Sequence, residues 1–241
     1  MKQLKYIGWM ICSLFFLVSC DKETEGMSKV LHFSLEGDET MLVTVGTSYN
    51  EPGYAITLDG VDVSGNVEIR GEVDARNVGL YYVAYIYTND DGVQTRLNRT
   101  VIVCDPTVET DIAGRYATVE GTYRLAGGNE VPFPGFGVNI YKIGPGFFEV
   151  SDFLGGYYHQ RAGYGAAYAA KGYVQLMKDN TLKLINSSVA GWGDSLTGLQ
   201  DGVYDPVTGS LSWCADYAGM LFYGKRLLNY ILCIRFFIEV H

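Results

Sequence analysis

At 241 residues the chain has room for two modest domains, since single domains cluster near ~100–200 residues. Hydrophobic residues at 48% and charged residues at 19% exclude a wholly disordered chain. Lys plus Arg number 18 against 27 Asp plus Glu, and the net charge of −9 excludes the basic footprint of a nucleic-acid binder, so no nucleic-acid partner is expected. Thirty Gly and nineteen Tyr beside six Pro point to turns and aromatic strands, hence to an all-β fold.

Lys2 and Lys5 precede an apolar run, Tyr6 to Val18, that is shorter than the ~20 residues needed to span a bilayer as a helix. A charged start, an apolar middle and a small-residue end make residues 1–19 an export signal. Leu17-Val18-Ser19-Cys20 resembles the lipobox of bacterial lipoproteins, which implies cleavage before Cys20, lipidation of its thiol and a membrane partner held through several acyl chains. In the 20–27 tether, Asp21-Lys22-Glu23-Thr24-Glu25 resembles the surface-export signal of Bacteroidetes lipoproteins, and this implies an outer-membrane, cell-surface address. Enterobacterial sorting reads Asp after the Cys as inner-membrane retention, which leaves the leaflet open. Cleavage removes two Lys and no acid; the remaining 16 basic and 27 acidic residues give −11, a surface that stays clear of anionic lipopolysaccharide.

Cys12 leaves with the signal, and Cys104, Cys214 and Cys233 are then left beside the lipidated Cys20. An odd set closes no disulfide framework, so buried free thiols are expected. None of them stands at zinc spacing from His32, His159 or His241, so neither metal nor cofactor is expected.

From residue 28 to 104, short strand patterns recur between turn signals at β-sandwich spacing. In Gly79 to Tyr87 both faces are apolar, which makes that strand central; Asn89-Asp90-Asp91-Gly92 turns it into a partner, Thr95 to Val103. Tyr49-Asn50-Glu51-Pro52-Gly53-Tyr54-Ala55, Asp59-Gly60-Val61-Asp62-Val63-Ser64-Gly65-Asn66-Val67, Val73-Asp74, Gly79, Tyr81 and Arg99 to Val103 together resemble the Ig-like repeat of bacterial surface proteins, the type also found in pesticidal crystal proteins. The resemblance implies a spacer domain, with Tyr81 as the corner tyrosine that ties its hydroxyl to a loop.

Residues 105–107 form a short linker at Pro106. Beyond it, 108–241 reads as a second, Gly/Tyr-rich β domain with strand candidates at 114–124, 137–143, 147–150, 172–177, 182–186, 202–204 and 210–217. Val150 to Tyr158, Gly163-Tyr164-Gly165, Asp179-Asn180-Thr181, Ser187 to Ser195 and Tyr217-Ala218-Gly219 resemble the domain of unknown function that follows the Ig-like repeat in Bacteroidetes lipoproteins. That resemblance implies a surface lipoprotein near glycan-uptake systems and brings no activity with it. Gly224 to His241 departs from the pattern, and its Lys225, Arg226 and Arg235 exclude a clean transmembrane helix.

Gly193-Asp194-Ser195-Leu196 spells the nucleophile signature of GDSL hydrolases, but no Asp-x-x-His occurs and the chain is β-rich, so no catalytic residue is assigned. Asp194-Ser195-Leu196 also resembles the O-glycosylation acceptor of exported Bacteroidetes proteins, with Ser195 as the modified residue; a simple hydrogen-bonded turn accounts for it equally. Tyr157, Tyr158, Tyr164 and Tyr168, with Trp192 downstream, are candidates for a glycan platform, because sugar rings dock their C–H faces on aromatic rings. Aromatic core packing produces the same pattern. Glu149, Asp152, Asp194, Asp201, Asp205 and Asp216 allow a glycosidase pair only in principle. The expected function is therefore a non-catalytic, lipid-anchored accessory protein that binds glycan or scaffolds other outer-membrane proteins. A structural or adhesive protein that binds another protein is the alternative.

Overall fold

Among the described residues strand accounts for 53% and helix for 6%, so the all-β reading holds. The structure, a computed structural model, describes residues 29–126, 129–217 and the backbone of 230–238. The export signal, Cys20 and the 20–27 tether lie outside the described residues.

The first unit is a two-sheet sandwich. One sheet runs β1 (Leu31–Leu35), β3 (Tyr54–Leu58), β4 (Val61–Asp62), and the other β2 (Thr40–Thr44), β7 (Gln94–Cys104), β6 (Gly79–Thr88), β5 (Val67–Arg70). β2 runs parallel to β7, and the other pairings are antiparallel. β6 is central, as its two apolar faces require: Val83, Tyr85 and Tyr87 are buried on one and Ala84 and Ile86 on the other. The Tyr81 hydroxyl donates to the Asn77 carbonyl at 2.9 Å, the corner contact expected at the start of this strand. Asp59 and Asp62 accept the Val30 and Ser64 N–H groups at 2.8 Å, so turn chemistry employs both.

A charged residue lies at the centre of this sandwich. Arg99 on β7 has 0% exposure; its Nε donates to Glu51 Oε1 at 2.6 Å, and Nη2 donates to the carbonyls of Glu36 (2.6 Å) and Gly53 (3.0 Å). Its Nη1 donates to the Asp38 carbonyl. One guanidinium thus fastens three separate loop positions to the central sheet, a use of its five fixed donors that Lys could not match. Tyr49 donates to the same Glu51 carboxylate. Beside this pair the Tyr85 hydroxyl is pushed up to about 12, by burial first and the Glu51 charge second.

The second unit is a barrel. β8 (Gly114–Thr118), β11 (Gly137–Gly144), β12 (Phe147–Val150), β13 (Lys171–Leu176) and β14 (Leu182–Ser188) are neighbours in that order, while β17 (Tyr230–Ile238) joins β8 to β16 (Ser210–Tyr217), which pairs with β15 (Gly198–Asp205). The Thr181–Val203 bridge and the Tyr204 N–H to Asn180 carbonyl bond at 2.9 Å bring β15 back to the start of β14 and close the ring. β9 (Tyr123–Ala126) and β10 (Asn129–Pro132) form a hairpin beside β17. Inward-facing Tyr116, Val138, Ile140, Phe148, Val150, Val174, Leu176, Leu211, Trp213 and Tyr217 fill the interior, as a barrel of this size allows. Trp213 donates Nε1–H to the Phe153 carbonyl at 2.9 Å.

The chain departs from the sequence reading at three places. The single strand read over 114–124 is broken by a turn at 120–121 into β8 and β9. The segment set apart as an atypical terminus supplies β17, a strand paired on both sides. Free thiols hold for Cys104 but not for Cys214, which is disulfide-bonded. Register explains the correction: β16 and β17 place Cys214 opposite Cys233, an adjacency that counting cysteines cannot reveal. Cys104, buried at the end of β7, packs with Ile102 and Phe147, and Val78, Leu80, Ile143, Tyr173 and Ile185 close around them. This small core joins sandwich to barrel, and burial there pushes the Cys104 thiol up to about 11, which keeps it protonated and inert at neutral pH.

Candidate functional site

The candidate rings sit on the segment between β12 and β13. Its two ends are held together: Phe153 N–H donates to the Ala170 carbonyl at 2.8 Å, and Asp152 accepts at one oxygen from Leu154 N–H (2.9 Å) and Ala170 N–H (3.0 Å), at the other from Gly156 N–H (3.1 Å). The result is a closed Ω-type loop. Asp152 is 2% exposed, and burial pushes its carboxyl up against the pull of those three donors. Gly156 takes the left-handed conformation (φ 81°), and a Cβ there would lie 2.8 Å from Phe136 Cβ, so both backbone and packing demand glycine. A single π turn, Tyr157–Arg161, and a 3₁₀ turn, Ala166–Tyr168, then present the tyrosines.

Trp192 arrives from a different segment. Val189 N–H donates to the Asp194 carbonyl at 2.8 Å, forming a tight turn that Gly191 N–H fastens to the Ala167 carbonyl at 2.7 Å. A Cβ on Gly191 would stand 2.7 Å from the Tyr168 ring, so this glycine permits the close approach. Trp192 consequently packs at 4.8 Å between ring centroids against both Tyr158 and Tyr168, and Tyr164 lies 5.4 Å from Tyr168 and 6.1 Å from Tyr158. Most contacts are edge-to-face, the arrangement the ring quadrupoles favour.

All five candidate rings are therefore in one cluster, but they do not share one exposure. Tyr164 is 55% exposed; Tyr158, Tyr168 and Trp192 are half-buried. Tyr157 is corrected to the core: it is 6% exposed, edge-on to Phe133 at 5.0 Å, and its hydroxyl accepts from Arg124 Nη1 at 3.1 Å. The Arg124 and Arg161 guanidinium carbons each stand 5.0 Å from the Tyr157 ring centre, a cation–π distance. Tyr217 was not foreseen. Buried on β16, it lies 5.8 Å from Trp192 and donates to both Asp194 oxygens at 2.8 and 3.0 Å. Alternation along β16 points it inward, and nothing in its own neighbourhood links it to Trp192.

Ser195 is exposed in the turn, and among the described residues its side chain has no hydrogen bond to a histidine. Four of the six acids weighed for glycoside hydrolysis have other tasks: Asp152 clamps the loop, Asp194 receives Tyr217, Asp205 caps Val207 and Thr208, and Asp216 receives Gln200. Among the described residues no cluster of His, Cys, Asp and Glu could hold a metal ion, and no helix is long and apolar enough to cross a membrane.

A family model described as a bacterial surface protein, Ig-like domain, matches residues 33–103, and a C-terminal-domain model matches residues 105–225. The chain belongs to the Ig-like bacterial surface lipoproteins. This lipoprotein is 38% identical to the lipoprotein BT2262 from Bacteroides thetaiotaomicron, over 86% of its own chain and 100% of that one, with a TM-score of 0.48. No curated protein matches it. Neither family model describes a catalytic family, and the matches place the lipoprotein at a membrane-associated surface.

Proposed function

We propose that this lipoprotein is a non-catalytic accessory protein, anchored through Cys20 in the outer membrane and facing outward, that binds glycan with the far end of its barrel. The observation that carries this reading is the gathering of Tyr158, Tyr164, Tyr168 and Trp192 from two separate segments into one cluster whose outermost ring stands open to water. Cores do not require a half-exposed tyrosine at the tip of a clamped loop, whereas a sugar platform does. The loop joins the end of β12 to the start of β13, and the opposite end of β13 borders the linker at Asp105 and Val108. The Ig-like sandwich then serves as a spacer between membrane and rings.

Two experiments test this reading. Cells fed radioactive palmitate should label the wild type and leave Cys20→Ala unlabelled; equal labelling contradicts the anchor, and resistance to protease added to intact cells contradicts the outward orientation. A glycan array probed with the lipid-free chain should return ligands held at millimolar to micromolar strength, ~4–8 kcal/mol. A blank array contradicts glycan binding.

A further inference from the structure

The outward wall of the barrel beside the Ig-like sandwich carries a second pattern. Strand register places Tyr141 of β11 opposite Glu149 of β12, Glu149 opposite Tyr173 of β13, and Tyr173 opposite Asn186 of β14. Ile140, Phe148, Val150 and Val174, their neighbours along these strands, are buried in the core, so the row faces away from it. Tyr141 and Tyr173 stand two strand spacings apart, ~9.5 Å, with a carboxylate between them.

Tyr141 is 51% exposed. Tyr82, on β6 of the sandwich, is 50% exposed and close enough to Tyr173 to join burial and Glu149 in raising its pKa. Val78 and Leu80 of the sandwich pack against the same buried cluster, Ile102, Cys104 and Phe147, as Tyr173 does, so the sandwich borders this part of the row. Among the described residues the Tyr82, Tyr141 and Tyr173 hydroxyls, the Glu149 carboxylate and the Asn186 carboxamide have no hydrogen-bond partner within the protein. Their polar atoms are thus left unengaged, although the Tyr173 ring itself packs 5.6 Å from Phe147 at the small core between the two units.

Aromatic faces alternating with unengaged polar groups along a straight line suit a sugar chain: the rings take the C–H faces of the pyranoses, and the carboxylate and amide take hydroxyls. A peptide strand could not add here, because β11, β12 and β13 are each paired on both sides and offer no free edge. A straight row also favours an extended chain over a coiled one. We infer that Tyr141, Glu149, Tyr173 and Asn186, flanked by Tyr82, form a second saccharide site, which takes an extended β-linked hexose chain of about the length that two to three sugars span.

This site does not rest on the ring cluster, and one experiment separates them. The mature chain, purified with its lipid in detergent, is run through gels containing hydroxyethylcellulose, a soluble β-linked glucan, or soluble starch, which is α-linked and coils. Hydroxyethylcellulose should retard the wild type and starch should not. Tyr141→Ala and Tyr82→Ala should each weaken retardation at least tenfold, and Val207→Ser, on the exposed turn after β15, should leave it unchanged. Both tyrosines are half-exposed, so their removal leaves the core intact; Glu149→Gln, which keeps the volume, is the third probe and should also weaken binding. The inference is overturned if hydroxyethylcellulose does not retard the wild type, if starch retards it equally, or if retardation survives all three substitutions or disappears only with Trp192→Ala.

Discussion

Arg99→Ala should lower the stability of the Ig-like sandwich by about 3–5 kcal/mol, the range for breaking a buried pair by removing one partner. The substitution leaves the carbonyls of Glu36, Asp38 and Gly53 without their donor and strips Glu51 of its cation. Two controls define the mechanism. Arg99→Lys supplies the charge without the planar fork and should recover only part of the loss. Glu51→Gln should cost less than Arg99→Ala, because Glu51 is partly exposed and the guanidinium keeps its carbonyl partners. Trp192 and Trp213 both lie in the barrel, so tryptophan fluorescence follows the barrel while far-UV dichroism follows both units. In urea, Arg99→Ala should shift the dichroism transition well below the fluorescence transition; coincident, unshifted curves would show the arginine to be dispensable. Acid provides a second readout. Burial pushes the Glu51 carboxyl up, but hydrogen bonds from Tyr49, Gly53 N–H and Arg99 outweigh it and hold the pKa below the usual 4.5. A depressed carboxyl stabilises the fold above the unfolded value, so this contribution should fade as pH falls below about 4.5 toward the lowered value, and Glu51→Gln should remove that part of the acid dependence.

Asp152→Ala should be comparably severe, about 3–5 kcal/mol, because three buried N–H groups lose their acceptor at ~1–3 kcal/mol each and part of that is relieved as the loop opens. Its effect falls on the barrel, and it should take the ring cluster with it, since Leu154, Gly156 and Ala170 define both ends of the loop that carries the tyrosines. Asp152→Asn retains one oxygen for Leu154 and Ala170 but turns an amide donor toward Gly156, so it should cost less, ~1–3 kcal/mol. The pH dependence runs opposite to that of Glu51. The folded Asp152 carboxyl titrates above its ordinary 3.8, so between 3.8 and the raised value the native state holds the extra proton. Stability from this group is complete below 3.8 and declines as pH rises through the folded value, and Asp152→Asn should abolish that decline. Thermal unfolding across pH, followed by fluorescence, measures both effects; an Asp152→Ala protein that melts with the wild type would remove the clamp from the account.

What the sequence made legible was whatever repeats locally. Period-two alternation placed β16 at the bounds it has, because the strand keeps one face on the core for its full length. The Asn89-Asp90-Asp91-Gly92 turn was legible because Gly92 adopts φ 79° and Asn89 caps its own turn. Rings crowded within one loop were bound to be neighbours, so Tyr157 to Tyr168 could be grouped by eye. Long-range register was invisible. Arg99 stands between Asn98 and Thr100 in the polar half of β7, with no local sign that its partners lie 46 to 63 positions earlier in the chain. Tyr217 meets Trp192, and Cys214 faces Cys233, only because β15, β16 and β17 fold back on one another. The signal for Asp152 as a clamp is local, since an Asp shortly followed by Gly155 and Gly156 marks a turn, but the same residue type suits an acid of a glycosidase pair equally. β17 was missed because Tyr230 to Ile238 is apolar throughout with a single Arg235, and a strand paired on both sides shows no alternation to find.

Titration calorimetry of a glycan retained by the array, against the wild type, Tyr164→Ala and Trp192→Ala, tests the central claim most directly. Tyr164 is the cleaner probe, since its ring is the most exposed of the cluster and its loss leaves the Tyr217–Asp194 contact in place. The account predicts that both variants keep the wild-type melting curve to within a few degrees and lose at least tenfold in affinity, ~1.4 kcal/mol or more. Unchanged affinity in Tyr164→Ala and Trp192→Ala, with both variants folded, would contradict it and leave the cluster as packing alone.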